Sequence, residues 1–218
     1  MPLPRPCLAL VTDRRLYPTL ETLVEAVAQA VEGGVDLVQV REKDLPGGPL
    51  LEVSQRLREV TRGRALLFVN ERVDVALLCG ADGVHLPEAG LPPRGVRRLV
   101  GARLLIGASV HSVPSALRAQ QEGADLLIAG TIFPSRSHPG QEAVGVGLLA
   151  DLQKAVTLPV LAIGGVTPQN AGACIQAGAS GVAVITAILG QPDPRAAAQR
   201  LKEAIRQAWE KGGWACCA

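Results

Sequence analysis

Three short segments of this sequence carry residues fitted to chemistry on a phosphorylated small molecule. In Gln39-Val-Arg41-Glu-Lys43 polar side chains alternate, so in an extended chain Gln39, Arg41 and Lys43 share one face. Two cations and an amide on one face suit an anion, Arg offering a planar fork and Lys a point charge. Near the end, the apolar run from Leu158 closes on Gly164-Gly165, and a second apolar run, Gly181–Thr186, leads into a helical start. Two successive strand–loop–helix units can turn backbone N–H groups onto one phosphate, and a missing Cβ lets the chain approach the oxygens closely. The phosphate is therefore expected between Gly164-Gly165 and Ile185-Thr186. His111 directly follows another apolar run, and its imidazole titrates near neutral pH, which makes it the leading acid–base candidate.

Further polar residues sit where apolar runs end. These are Asn70 and Glu71, Ser109 two residues before His111, and Ser135, Ser137 and His138 in a long loop over 133–145 that reads as a lid. His85 is expected to point the other way along its strand or to pack beneath the site. No His-Glu metal pattern or Ser-His-Asp arrangement is evident.

Positioning these residues requires a scaffold, and the chain supplies one by alternation. Apolar runs at Cys7–Thr12, Leu37–Arg41, Leu66–Asn70, Gly83–Leu86, Leu105–Val110, Leu126–Gly130, Val160–Gly164 and Gly181–Thr186 read as strands. Helical patterns lie between them near 20–32, 48–62, 72–79, 93–99, 112–122, 146–156, 168–177 and 194–210. Thr19, Ser112 and Thr167-Pro168 are start signals. Gly-Ala-Asp or a close variant recurs before strands, at Gly33-Gly-Val-Asp36, Gly80-Ala-Asp82, Gly123-Ala-Asp125 and Gly178-Ala-Ser180. There the glycine ends a helix and the chain re-enters the sheet. Eight strand–helix units predict a single (β/α)₈ TIM barrel of the α/β class spanning residues 1–218, with the barrel at 7–210 and a short tail at 211–218. An open doubly wound sheet is the alternative, disfavoured by the count of eight and by the lack of a Gly-x-Gly-x-x-Gly turn after the first strand. In a barrel, the polar residues collected above lie together at the C-terminal ends of the strands.

Composition excludes several classes. The chain is 48% hydrophobic but only 2% aromatic, so its core must be Leu, Val, Ile and Ala, as suits a parallel sheet covered on both faces. A net charge of +2, without a basic run or stacking aromatics, argues against nucleic acid as partner. No apolar run is long enough to span a membrane, and no signal peptide is read at the N-terminus. Five cysteines at 7, 79, 174, 216 and 217 lack zinc spacing and are read as free thiols of a cytoplasmic protein. A homo-oligomer is left open.

Taken in order, Gln39–Lys43, Asn70, Gly83-Val-His-Leu86, Gly107-Ala-Ser-Val-His-Ser112, the 133–145 loop, Ala162–Thr167 and Val184–Ile188 resemble the thiamin phosphate synthase superfamily, which includes the thiazole tautomerase of thiamin biosynthesis. The resemblance covers residues 8–206. For a synthase it implies coupling of hydroxymethylpyrimidine diphosphate to thiazole phosphate with Mg²⁺, the diphosphate held by Gln39, Arg41 and Lys43. The synthase pattern has Asn-Asp where this chain has Asn70-Glu71, so Glu71 is the implied metal residue. A second aspartate of that pattern falls on Gly90, and a Thr-x-Thr-Lys lid falls on Ser135-Arg136-Ser137-His138. The Leu86-Pro87 step, the Ser109–Ser112 segment and the missing aspartate look more like the tautomerase. The expectation is accordingly an isomerase that aromatises a thiazole carboxylate phosphate, with His111 moving the proton and no cofactor. A synthase with Mg²⁺ is the alternative, and a catalytically silent phosphate-ligand regulator the second alternative.

Overall fold

The computed structural model describes residues 3–135 and 143–212. Eight parallel strands close into a barrel in chain order, β1 (Cys7–Val11), β2 (Leu37–Val40), β3 (Leu66–Asn70), β4 (Gly83–Leu86), β5 (Leu105–Val110), β6 (Leu126–Ala129), β7 (Val160–Ile163) and β8 (Gly181–Val184). The helices α1 (Leu20–Glu32), α2 (Gly47–Thr61), α3 (Val73–Leu78), α4 (Pro93–Val100), α5 (Val113–Gln121), α6 (Gly147–Ala155), α7 (Ala171–Gln176) and α9 (Pro194–Lys211) cover the outside. A short additional helix, α8 (Thr186–Leu189), follows β8, and a 3₁₀ turn, Arg14–Leu16, follows β1. The expected single TIM barrel is thus the observed fold. Strands β1, β2, β6, β7 and β8 end one or two residues before their expected bounds, whereas β3, β4 and β5 end as expected at Asn70, Leu86 and Val110.

Local chemistry explains the boundaries. Thr19 and Ser112 form reciprocal capping boxes with Thr22 and Ser115, and Asp193 caps Pro194-led α9. The Thr167-Pro168 signal begins a turn rather than α7. Asn170 Oδ1 accepts the Thr167 N–H at 2.8 Å and the helix starts only at Ala171.

The recurrent aspartates have a shared role at the N-terminal end of the barrel. Asp36 accepts the Leu8 N–H and Lys202 Nζ, Asp82 the Leu67 N–H and Arg58, and Asp125 the Ile106 N–H and Arg97. Each ties the strand before it to a basic residue on an outer helix, fixing the register with a charge-assisted bond.

Inside the barrel the strand period of two selects alternate residues. Cys7, Ala9, Val11, Leu37, Leu66, Phe68, Leu126, Ile128, Leu161 and Ala183 form an interior cluster distinct from the larger one between sheet and helices. Phe68 is its largest member. A Cβ on Gly83 would stand 2.5 Å from the Phe68 ring, so that glycine makes room for the ring. Continuing the same alternation towards the C-terminal ends places Gln39, Asn70, His85 and Ser109 in the next interior layer.

Candidate active site

This polar layer floors a cavity of ≈ 140 Å³. Gln39, Asn70 and His85 are buried in it, with Asn70 paired in register to His85 and His85 to Gly107. Gln39 Nε2 donates to Asn70 Oδ1 at 3.0 Å, and Asn70 Nδ2 donates to Glu71 Oε2 at 2.9 Å. This chain of amides leaves the Gln39 carbonyl available to a ligand. His85 Nε2 lies 2.7 Å from Ser109 Oγ. Burial, and then the charge of Arg41, push His85 down to about 3, so its imidazole is neutral across working pH. His85 therefore belongs to the cavity floor and does not face away along its strand. Val11, Ile128, Ile163 and Ile185 form the opposite, apolar wall.

Arg41 and Lys43 line the same cavity, as their alternation with Gln39 requires. Glu42, Thr12 and Asp44 hold this segment in place. Glu42 is buried, and accepts Thr12 Oγ1 at 2.5 Å and the Arg14 N–H at 3.1 Å. Thr12 Oγ1 in turn accepts the Arg41 N–H at 3.0 Å. Asp44 pairs with Arg14, and neither Arg41 nor Lys43 has an ion pair among the described residues. The two cations are thus turned towards the cavity while the neighbouring acids are spent elsewhere. Thr12 and Glu42 were absent from the sequence-derived site. Their signal was a hydroxyl at the end of β1 and an acid between two inward-facing cations.

A second, adjoining space of ≈ 500 Å³ lies between the loops after β7 and β8. Gly164, Gly165, Ile185, Thr186 and Ser135 all line it, so the residues expected around the phosphate do come together. Gly164 and Gly165 have φ of 100° and 61°, which L side chains rarely adopt. A Cβ on Gly165 would lie 2.4 Å from Pro134 O, so the glycine also lets the 133–135 loop close against it. Asn170 Nδ2 holds the Gly165 carbonyl at 3.0 Å, and Tyr17 Oη holds the last residue of α8 through the Leu189 carbonyl. The first residues of the short helix after β8, Thr186 and Ala187, also line this space, which lies where barrels bind phosphate. Ile163, Gly164 and Ile185 line both spaces, which therefore adjoin.

His111 stands at the cavity mouth, half exposed, with Nδ1 paired to Glu88 Oε2. Ser137 and His138 lie outside the described residues. Glu71 projects at the end of β3 with φ 60°, an unusual conformation for a non-glycine residue, into a small space it shares with Lys43 and Asn70. Among the described residues no three acids, histidines or cysteines gather as a metal cage. Mg²⁺ does not need one, since it is commonly held by one or two carboxylates together with substrate phosphates. Glu71 beside Lys43 fits that mode, Gly90 offers no side chain, and Glu88 is engaged by His111.

Comparison with known proteins gives a consistent result. The family model for thiamine monophosphate synthase matches residues 8–188. A thiamine-phosphate synthase of Methanoculleus marisnigri is 45% identical over 210 residues, covering 94% of this chain and 98% of that protein. A thiamine-phosphate synthase of Pyrococcus furiosus is 40% identical over 201 residues, covering 92% and 95%. The solved structure of a thiamine phosphate pyrophosphorylase from Pyrococcus furiosus superposes with a TM-score of 0.84 at 39% identity, covering 93% of this chain and 96% of that one. These findings overturn the tautomerase and isomerase expectation: relatives similar over almost the whole chain carry the name of a synthase, a transferase. The preference for the tautomerase rested on the 86–90 loop and the Ser109–Ser112 segment, and Pro87, Ser109 and His111 line the same cavity as the synthase-like Gln39, Arg41 and Lys43, so position in the site does not separate the two readings.

Proposed function

The chain belongs to the thiamine monophosphate synthase family, and we propose that it is a transferase that couples hydroxymethylpyrimidine diphosphate to thiazole phosphate. The observation that carries this reading is a pair of adjoining spaces, each lined by groups suited to an anion. One is the Arg41–Lys43 face of the cavity and the other is the space between Gly164-Gly165 and Ile185-Thr186. A coupling of two phosphorylated substrates needs two such sites on either side of the reacting atoms, and a one-substrate isomerase needs one.

In this reading the pyrimidine diphosphate lies in the cavity with its diphosphate against Arg41 and Lys43. Its ring rests between the Gln39–Ser109 floor and the wall of Ile128, Ile163 and Ile185. The thiazole phosphate group occupies the backbone site beside Gly165, which brings its ring to the junction of the two spaces. There the thiazole nitrogen replaces diphosphate on the pyrimidine methylene carbon: a C–N bond forms and the C–O bond breaks, the electron pair leaving with diphosphate. Arg41 and Lys43 stabilise the charge that grows on the leaving group, and holding both substrates in line supplies proximity. Mg²⁺, held by Glu71 and the diphosphate, would supply the remaining charge neutralisation. The buried, apolar wall keeps water from the methylene carbon.

Simultaneous binding tests the reading. Inorganic diphosphate with Mg²⁺ and thiazole phosphate are titrated singly and together by calorimetry. Arg41→Ala is expected to weaken diphosphate alone, and Gly165→Val to weaken thiazole phosphate alone. Competition between the two ligands for one site would count against it.

A further inference from the structure

The neutral His85 imidazole is not used in the scheme above, yet it is buried directly beneath the cavity and touches one of its lining hydroxyls. Its two nitrogens have unequal surroundings. Nε2 has Ser109 Oγ at 2.7 Å, while Nδ1 is buried with no hydrogen-bond partner among the described residues. Nδ1 lies against Gly107, where a Cβ would come within 2.9 Å of it, and the Phe68 ring closes the other side of that glycine. A neutral imidazole carries one N–H and one bare lone pair. Orphaned buried N–H groups are rarer than under-satisfied acceptors. The tautomer that leaves the lone pair on Nδ1 is therefore favoured, and Nε2 carries the proton. Ser109 Oγ then accepts that bond, and its own hydrogen cannot point back at His85.

We propose that His85 is a positioning residue: its Nε2–H donates to Ser109 Oγ and thereby turns the Ser109 hydroxyl hydrogen into the cavity, as a donor to an acceptor atom of the bound pyrimidine diphosphate. The ligand part of this inference rests on the transferase reading; the tautomer part does not. Gly83 and Gly107 take part because they clear the interior for Phe68 and the His85 ring, so the imidazole has one orientation rather than several. Ser109 is fixed before substrate arrives, and no energy is spent on orienting it at the moment of reaction.

Two measurements test this. Long-range ¹⁵N–¹H correlation of histidine-labelled protein at neutral pH reads the tautomer directly. The His85 resonance, assigned by its loss in His85→Gln, is expected to show protonated Nε2 and unprotonated Nδ1. Protonated Nδ1 would overturn the proposal. The second is a kinetic cycle. Ser109→Ala is expected to lower kcat ~10²-fold, as loss of one preorganised donor does. His85→Leu should lower kcat ~10-fold or more with little change in KM, because a misdirected group costs rate. The double variant should be no slower than Ser109→Ala alone. His85→Gln, which keeps an N–H near the place of Nε2, should recover most of the rate. Multiplicative losses in the double variant, or His85→Gln as slow as a folded His85→Leu, would overturn it. If the parent protein itself fails to couple the two substrates, the transferase reading fails, while the tautomer measurement still decides the His85–Ser109 orientation.

Discussion

The Thr12 hydroxyl donates to the buried Glu42 carboxylate at 2.5 Å and accepts the Arg41 N–H at 3.0 Å, so the end of β1 holds the segment that aims Arg41 and Lys43. Glu42 also accepts the backbone N–H of Arg14 and makes no ion pair among the described residues. Glu42→Gln keeps the shape and removes the charge that these donors require. It is expected to cost about 1–3 kcal/mol, the usual cost of compromising a buried hydrogen-bonded group. KM for the pyrimidine diphosphate should rise ~10-fold, the equivalent of about 1.4 kcal/mol, with KM for thiazole phosphate unchanged. Urea unfolding and steady-state kinetics read the two effects; an unaltered KM would show that the clamp does not aim the cations.

Gly165→Val should impair the phosphate site in two ways. The φ of 61° suits glycine, and a Cβ would meet Pro134 O at 2.4 Å and Phe133 Cβ at 2.8 Å. The backbone must shift, by more than a site built to ~0.5 Å tolerates. The expected outcome is a rise of ~10²-fold in KM for thiazole phosphate with diphosphate affinity retained, as read by kinetics and by calorimetry. Equal loss of both affinities would mean the change is global.

Burial of neutral His85 makes stability depend on pH with a definite sign. Its folded value is about 3 against an ordinary 6.5. Between these values the unfolded chain binds a proton that the folded chain does not, so stability is lost as pH falls from 6.5 towards 3. The slope from this one group is at most ~1.4 kcal/mol per pH unit. His85→Gln removes it, so the variant's loss between pH 7 and 5 should be shallower than the parent's in urea unfolding at each pH. Parallel curves would mean that His85 protonates in the folded state.

The barrel was legible because its signals are local and repeated. Short Val-, Leu- and Ile-rich runs alternate with helical patterns, and Asp36, Asp82 and Asp125 mark the entries of β2, β4 and β6 with the same bond. The Gln39–Arg41–Lys43 face and the Gly164-Gly165 cup were legible for the same reason, since an alternation and a glycine pair each translate directly into geometry. Three things were not. The Glu42–Thr12 clamp joins residues 30 apart in the chain, and only the closed barrel brings them together. The inward direction of His85 depends on the strand register, which Phe68, Gly83 and Gly107 fix through packing. The choice between isomerase and transferase turned on the 86–90 loop and the Ser109–Ser112 segment, and Pro87, Ser109 and His111 line the same cavity that either reaction would use.

The metal expectation follows the transferase reading. Chelation and dialysis should abolish coupling, and added Mg²⁺ should restore it. Glu71→Gln should raise the Mg²⁺ concentration for half-maximal rate ~10-fold or more, since it removes a carboxylate that shares a space with Lys43 and Asn70. Metal binding monitored without turnover, by Mn²⁺ in the presence of diphosphate, should weaken in parallel. Full activity after chelation would remove Glu71 from the site.

The central claim is tested most directly by diphosphate release from the purified protein. Hydroxymethylpyrimidine diphosphate, thiazole phosphate and Mg²⁺ are supplied together, and diphosphate and the coupled product are quantified in the same sample. The account predicts one diphosphate per coupled product, none when either substrate is omitted, and a loss of ~10²-fold in kcat/KM for Arg41→Ala, which Lys at that position does not recover because it lacks the fork. Saturating substrates that yield no diphosphate, or a rate unchanged by Arg41→Ala, would contradict it.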